Sequence, residues 1–95
     1  MNERTPPKRG LLERAAHVLD LPADVIAKLP RLEIAGCRQL LMENHKGILE
    51  YGDEAIDING GQVVVRIKGK GLELRAMNAN ELSLEGLIYS VEFVF

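Results

Sequence analysis

Residues 62–74, QVVVRIKGKGLEL, decide the fold of this chain. Apolar Val63, Val65 and Ile67 alternate with a second set of residues that includes two cations, and a period of two is typical of a half-buried β-strand. Asn59-Gly60 comes just before this run, and Asn-Gly between two alternating runs is a strong hairpin signal because both residues tolerate positive φ. The glycines at 69 and 71 then predict a turn. The stretch therefore predicts a central antiparallel hairpin with a second turn inside it.

Shorter alternating runs lie on both sides of this centre. An apolar-x-apolar-x-Gly unit recurs as LEIAG (32–36), IDING (56–60), VRIKG (65–69) and LSLEG (82–86), at unequal intervals. Unequal intervals favour a compact antiparallel β-meander, folded as a sandwich or roll, because a solenoid needs a fixed period; a short β-solenoid-like stack is the alternative. In either arrangement the structural turns are predicted at Gly36, Asn59, Gly60, Gly69, Gly71 and Gly86.

The first third of the chain has a different character. Residues 1–10 are predicted to form a flexible arm, because they carry four charges, two prolines and almost nothing apolar. Residues 11–29 have helical spacing of apolar residues, with a break at Pro22 and an end at Pro30, which predicts one or two short helices. Residues 30–95 form the predicted β domain. The fold class is thus mainly β with N-terminal helices (α+β), in a single domain.

Composition excludes several classes of protein. Residues 31–95 carry seven basic and ten acidic groups, a net charge of −3, which gives no general attraction to nucleic acid. The single cysteine cannot form an internal disulfide, and no apolar run approaches the roughly 18 residues of a membrane span. We expect a protein kept in a reducing cytoplasm.

No pattern in the sequence predicts catalysis. His17, Cys37 and His45 have no metal-ligand spacing, and we interpret the histidines as surface residues and the cysteine as inert and buried. The Gly-Lys-Gly at 69–71 lacks the rest of a phosphate-binding loop. We therefore predict no enzyme activity, no catalytic or metal residues, no cofactor and no small-molecule substrate.

Two segments are candidate interaction sites. The C-terminal YSVEFVF (89–95) either ends the core as a buried strand or lies at a sheet edge, where Phe93, Val94 and Phe95 could receive a strand from another chain. Leu12 and Leu19, on the predicted helical face, could pack on the β domain or on a partner.

Four segments in order carry a family resemblance: LDLPADVIAKLPRLEIAG (19–36), ENHKGILEY (43–51), INGGQVVVRIKGKGLELRAM (58–77) and LEGLIYSVEF (84–93). Together they resemble the YqfC/YabP family of sporulation proteins, and the LDLP and ENH segments favour its YqfC branch. The resemblance implies a protein of the mother cell that is needed for spore envelope development, has no known catalytic activity and associates with a membrane-protein companion. It supplies no catalytic residues.

These observations lead to two functional hypotheses. The first is a non-enzymatic assembly or scaffold module in spore coat or cortex morphogenesis, which self-associates through a sheet edge. The alternative is a monomeric adaptor that binds a sporulation membrane protein through its N-terminal helix. The expected location is the mother-cell cytoplasm, with a peripheral position at the forespore surface as a further option.

Overall fold

The computed structural model describes residues 28–95, and within them the chain forms six β-strands. Their bounds are β1 Arg31–Ala35, β2 Gln39–Glu43, β3 Ile48–Tyr51, β4 Ala55–Asn59, β5 Val64–Met77 and β6 Glu81–Val94. The mainly β prediction is confirmed. The predicted arm at 1–10 and nearly all of the predicted helical element at 11–29 lie outside the described residues.

All six strands belong to one sheet in the order β1-β2-β6-β5-β4-β3, and every pairing is antiparallel. This pattern excludes the solenoid-like alternative for the described residues, because a solenoid stacks its strands in parallel. The two 14-residue strands β5 and β6 are shared by two halves of the sheet. In the first half, β2 pairs with residues 81–85 of β6; in the second, β4 pairs with residues 64–68 of β5.

The two halves contribute to a single hydrophobic core. Its members alternate along their strands with partly buried or exposed residues, as the period of two requires. Full burial of such a side chain stabilises a fold by about 1.5–3 kcal/mol, so this cluster is the main favourable contribution to folding. The buried hydrophobic residues of the described chain are Leu40, Met42, Ile56, Ile58, Val65, Ile67, Leu72, Leu82, Leu84 and Ile88.

The long hairpin of β5 and β6 is irregular at its middle. The register shifts between Lys68 and Gly69, between Lys70 and Glu73, and again between Leu74 and Ala76, which are β-bulges. Bulges bend a strand and increase its twist. Gly69 lies so close to β6 that a Cβ atom there would collide with the carbonyl oxygen of Leu87. The bend therefore depends on a backbone contact that only glycine permits.

Gly86 makes the matching contact from the other strand. It has φ +141°, and a Cβ atom on it would lie 2.6 Å from the carbonyl oxygen of Gly71. The loops of the two outer hairpins bond to the same region: Gly69 N–H donates to Glu54 O at 3.0 Å, and Gly86 N–H donates to Arg38 O at 3.1 Å. Both sides of the bend are thus held by backbone hydrogen bonds.

The predicted turn positions have different outcomes. Gly36, with φ +60°, lies in the connection between β1 and β2. Asn59 ends β4 and Gly60 begins the connection between β4 and β5, where Gly60 N–H donates to Val63 O. The predictions at Gly69, Gly71 and Gly86 were wrong, because β5 and β6 run through these positions without reversing. Glycine serves there for close approach of two strands and not for chain reversal.

The connection between β2 and β3 is a crossing between the two halves and not a hairpin, since these strands are not neighbours in the sheet. It carries His45, which is 5% exposed. Its Nδ1 accepts from Gly47 N–H at 3.0 Å, so Nε2 is the protonated nitrogen and donates to Asn78 O at 2.8 Å. The ring thus joins the crossing to the β5–β6 turn, and the interpretation of His45 as a surface residue was wrong.

The close contact at Gly69 predicts that a larger residue at this position destabilises the fold. Gly69→Ala should lower the free energy of unfolding by about 3 kcal/mol, because the added methyl group must push β5 away from β6. Gly52→Ala is the matched control. Its φ is not positive and its Cβ atom would lie 3.4 Å from Ala55 O, an ordinary contact, so we expect a change within about 0.5 kcal/mol. Urea denaturation at 25 °C measures both, and equal effects would contradict the proposed role of Gly69.

Candidate interaction surface at the sheet edge

The C-terminal part of β6 is an open sheet edge. On one side its residues pair with β5, from Ser90 opposite Lys68 to Val94 opposite Val64. On the other side, the pairing of β6 with β2 ends at Glu85 of β6. The last backbone contact on this side is the hydrogen bond from Ile88 N–H to Cys37 O, at 2.7 Å. Within residues 28–95, no strand follows along residues 89–94, which we call the β6 edge.

The corresponding edge of β5 is covered. There Leu72 N–H donates to Asp53 O at 2.9 Å, and Leu74 N–H donates to the Tyr51 hydroxyl at 3.0 Å. The same stretch carries Glu73 and Arg75, and charged side chains discourage strand addition. The two ends of the central hairpin therefore differ in their capacity to accept another strand.

Aromatic side chains surround the β6 edge. Phe93 is 57% exposed, Tyr89 is 64% exposed, and Phe95, one residue beyond the strand, is 99% exposed. Phe93 pairs with buried Val65 and so lies on the core side of the sheet, at its margin. Large aromatic groups next to unpaired backbone groups are the usual components of a protein–protein contact.

The outer face behind this edge is polar and organised by ion pairs. Arg66 on β5 binds the carboxylate of Asp57 on β4 with two hydrogen bonds, Nε to Oδ1 at 2.9 Å and Nη2 to Oδ2 at 3.0 Å. Lys68 Nζ lies 3.4 Å from Glu92 Oε2. The hydrogen bonds from the Arg66 guanidinium, assisted by its positive charge, lower the pKa of Asp57 despite partial burial of that carboxyl group.

The sheet also has a shallow cleft of about 690 Å³ on the outer face of β1, β2 and β6. Its polar lining is already engaged, because Arg75 Nε lies 3.4 Å from Glu85 Oε1 and Gln39 Nε2 donates to Glu85 at 3.4 Å. Among residues 28–95, no three His, Cys, Asp or Glu side chains form a group that could hold a metal ion. Nor does this part of the chain contain a helix long and apolar enough to cross a membrane.

The structure places three of the five predicted interaction residues together. Val94 ends β6, Phe93 lies one position before it, and Phe95 follows it. Leu12 and Leu19 lie outside the described residues. Tyr89, the first residue of the YSVEFVF segment, was not among the predicted interaction residues. A bulge at this position, where Lys68 pairs with Ser90 and Gly69 with Ile88, breaks the alternation of the strand. Cys37, predicted to be buried, is exposed in the β1–β2 connection.

The described residues thus form a small antiparallel β domain of a single sheet. The YabP family profile matches residues 27–94, which includes all six strands. The chain is 32% identical over 94 residues to the uncharacterized protein YqfC of Bacillus subtilis (strain 168), with 99% of this chain and 98% of that protein covered. The chain belongs to the YabP family.

The Asp57–Arg66 pair predicts a pH dependence of stability. Because folding lowers the pKa of Asp57, the ionised carboxylate stabilises the folded state above the unfolded-state pKa of about 3.9, and this contribution is lost as the pH falls through the folded-state pKa. Wild type should therefore be more stable than Asp57→Asn at pH 7, with a difference that shrinks below about pH 4.

Thermal unfolding between pH 2.5 and pH 7 measures this difference. Glu50→Gln is the matched control, since it removes one carboxylate from the strand next to Asp57 and leaves the Arg66 hydrogen bonds intact. A constant difference between wild type and Asp57→Asn across the pH range would contradict the assignment.

Proposed function

We propose that this protein is a non-enzymatic assembly module of the spore envelope that acts by self-association through its β6 edge. The observation that carries the proposal is the combination of an open strand edge with exposed Tyr89, Phe93 and Phe95. Membership of the YabP family and the resemblance to sporulation proteins support the assignment to spore coat or cortex formation.

Strand addition suits the chemistry of this edge. An added strand would satisfy the N–H and C=O groups of residues 89–94 that no described strand pairs, and main-chain hydrogen bonds supply affinity in such contacts. The exposed aromatic rings would lose contact with water at the same time. A scaffold function needs only such a repeated contact and no reacting groups.

A second candidate is an adaptor that binds a membrane protein of the same developmental programme through residues 11–29. The observation that favours it concerns Leu29, the last residue of this segment. Asn44 Nδ2 donates to Leu29 O at 2.9 Å, and Leu29 itself is 44% exposed. If residues 11–29 form the predicted amphipathic helical element, this segment would end at an exposed, hydrogen-bonded residue and would present Leu12 and Leu19 to a partner helix.

Self-association through the β6 edge predicts that a charge placed on this edge weakens the oligomer. Phe93→Lys should weaken the oligomer at least tenfold, because the edge would then carry a charge that must be desolvated on contact. Sedimentation equilibrium over micromolar to millimolar protein gives the dissociation constant, and circular dichroism checks the fold.

Leu49→Lys is the matched control, since Leu49 is 53% exposed and lies on β3, at the opposite end of the sheet. We expect this variant to associate like wild type. A folded Phe93→Lys protein with unchanged association would remove the β6 edge from the interface, and a wild-type protein that stays monomeric at millimolar concentration would contradict the scaffold function.

A further inference from the structure

We propose that the occupant of the β6 edge is β6 of a second copy of this chain, antiparallel and related by a two-fold axis, with Val91 opposite Val91. This inference rests on the proposed self-association and specifies its geometry. Four strands of each copy, β3, β4, β5 and β6, would join into one continuous sheet across the axis. The register follows from which residues lie on each face and from the extent of the free edge.

The faces of the sheet limit the possible registers. Ser90 and Glu92 lie on the outer face with their partners Lys68 and Arg66, whereas Val91 lies on the core side opposite buried Ile67. Directly opposite residues in an antiparallel pair project from the same face. In a continuous two-fold pairing, one residue must therefore lie directly opposite the same residue of the second copy, and we call this residue the centre of the register. A centre between two residues would place a core-side residue against an outer one.

Three alternative centres are unfavourable. A centre at Glu92 places two carboxylates directly opposite each other, which is destabilising. A centre at Ser90 brings Glu92 against Ile88, whose N–H is already bonded to Cys37 O. A centre at Phe93 leaves only residues 92–94 to pair, because β6 ends at Val94. The register centred on Glu92 thus brings like charges together, and the other two registers leave few residues to pair.

The register centred on Val91 has none of these defects. It extends over residues 89–93 and stops before Ile88. Phe93 then lies at the level of Tyr89 of the second copy on both sides of the axis. The bulge at Tyr89 interrupts the regular alternation there, so this register brings two exposed aromatic residues together at the margin of the sheet without a regular cross-strand pair. Glu92 lies opposite Ser90 of the second copy, so no like charges face each other.

The outer-face charges also match in this register. Within one copy, the cross-strand order is Asp57, Arg66 and Glu92, with charges that alternate in sign. Beyond the axis the row continues with Ser90 and then Lys68 of the second copy, so the next charge after Glu92 is positive. Lys68 already lies 3.4 Å from Glu92 of its own chain, and the axis would place it near a second carboxylate.

Cysteine cross-linking tests the register. In a Cys37→Ser background, which removes the exposed native thiol, Val91→Cys should give a disulfide-linked dimer under mild oxidation. Opposite Cα atoms in an antiparallel pair are about 4.5–5.5 Å apart, within the range that a disulfide spans. Ser90→Cys and Glu92→Cys should each fail to cross-link alone and should cross-link when mixed, with an affinity tag on one of the two to identify the mixed dimer.

The outcomes separate the register from the self-association. Cross-linking of Val91→Cys and of the mixed pair, without cross-linking of the single outer-face variants, supports the inference. A dimer by sedimentation in which Glu92→Cys cross-links with itself, or in which no variant cross-links, overturns the register and leaves self-association standing. A wild-type protein that remains monomeric at millimolar concentration in reducing buffer overturns both the register and the self-association.

Discussion

The backbone contact between β5 and β6 at the middle of the central hairpin is the constraint on which the rest of the structure depends. Gly69 approaches the Leu87 carbonyl group, and Gly86 approaches the Gly71 carbonyl group, at distances that no Cβ atom allows. Bulges on both sides of these contacts bend the two long strands. Because each long strand serves both halves of the sheet, a small domain obtains one core from a single sheet.

The bend also determines which edges are available. The β3–β4 connection closes over β5 through Asp53 and Glu54, whereas the β1–β2 connection reaches β6 only as far as Ile88. Natural proteins protect edges with charges, bulges or covering loops. On β5 all three are present, while residues 89–94 of β6 have the bulge at Tyr89 and one carboxylate, Glu92, together with large apolar groups, and no described loop covers them. An interaction at the β6 edge is thus a consequence of unequal coverage by two otherwise similar hairpins.

Sequence patterns predicted the parts of this fold that local interactions determine. The alternation of Val65 and Ile67 and the Asn-Gly signal at 59–60 identified the β4–β5 hairpin correctly, because facing and turn conformation are encoded within a few residues. Gly69 and Gly86 were misassigned as turns because a glycine that permits close approach has the same local signature as one that reverses the chain. The strand that approaches it decides the outcome, and that strand is distant in sequence.

The burial of His45 and the exposure of Cys37 were not predicted for the same reason. Burial of His45 depends on Asn78 O, which lies 33 positions later, and exposure of Cys37 depends on a loop that extends past the end of the core. Of the candidate interaction surface, the C-terminal residues could be predicted from their apolar character at the end of an alternating run. The bulge that exposes Tyr89 could not, since it arises from the pairing of Lys68 with Ser90 and of Gly69 with Ile88.

The position of the β5–β6 turn has a consequence for the order of folding. Asn78 Oδ1 accepts hydrogen bonds from Asn80 N–H at 2.8 Å and from Glu81 N–H at 2.7 Å, so this turn is stabilised locally and the hairpin can form early. Pairing of β2 with β6 must come later, because Gln39 pairs with Glu85, 46 positions further along the chain. During synthesis the first two strands therefore leave the ribosome well before their partner, and the hydrophobic side chains of β2 stay exposed until the last strand has been made.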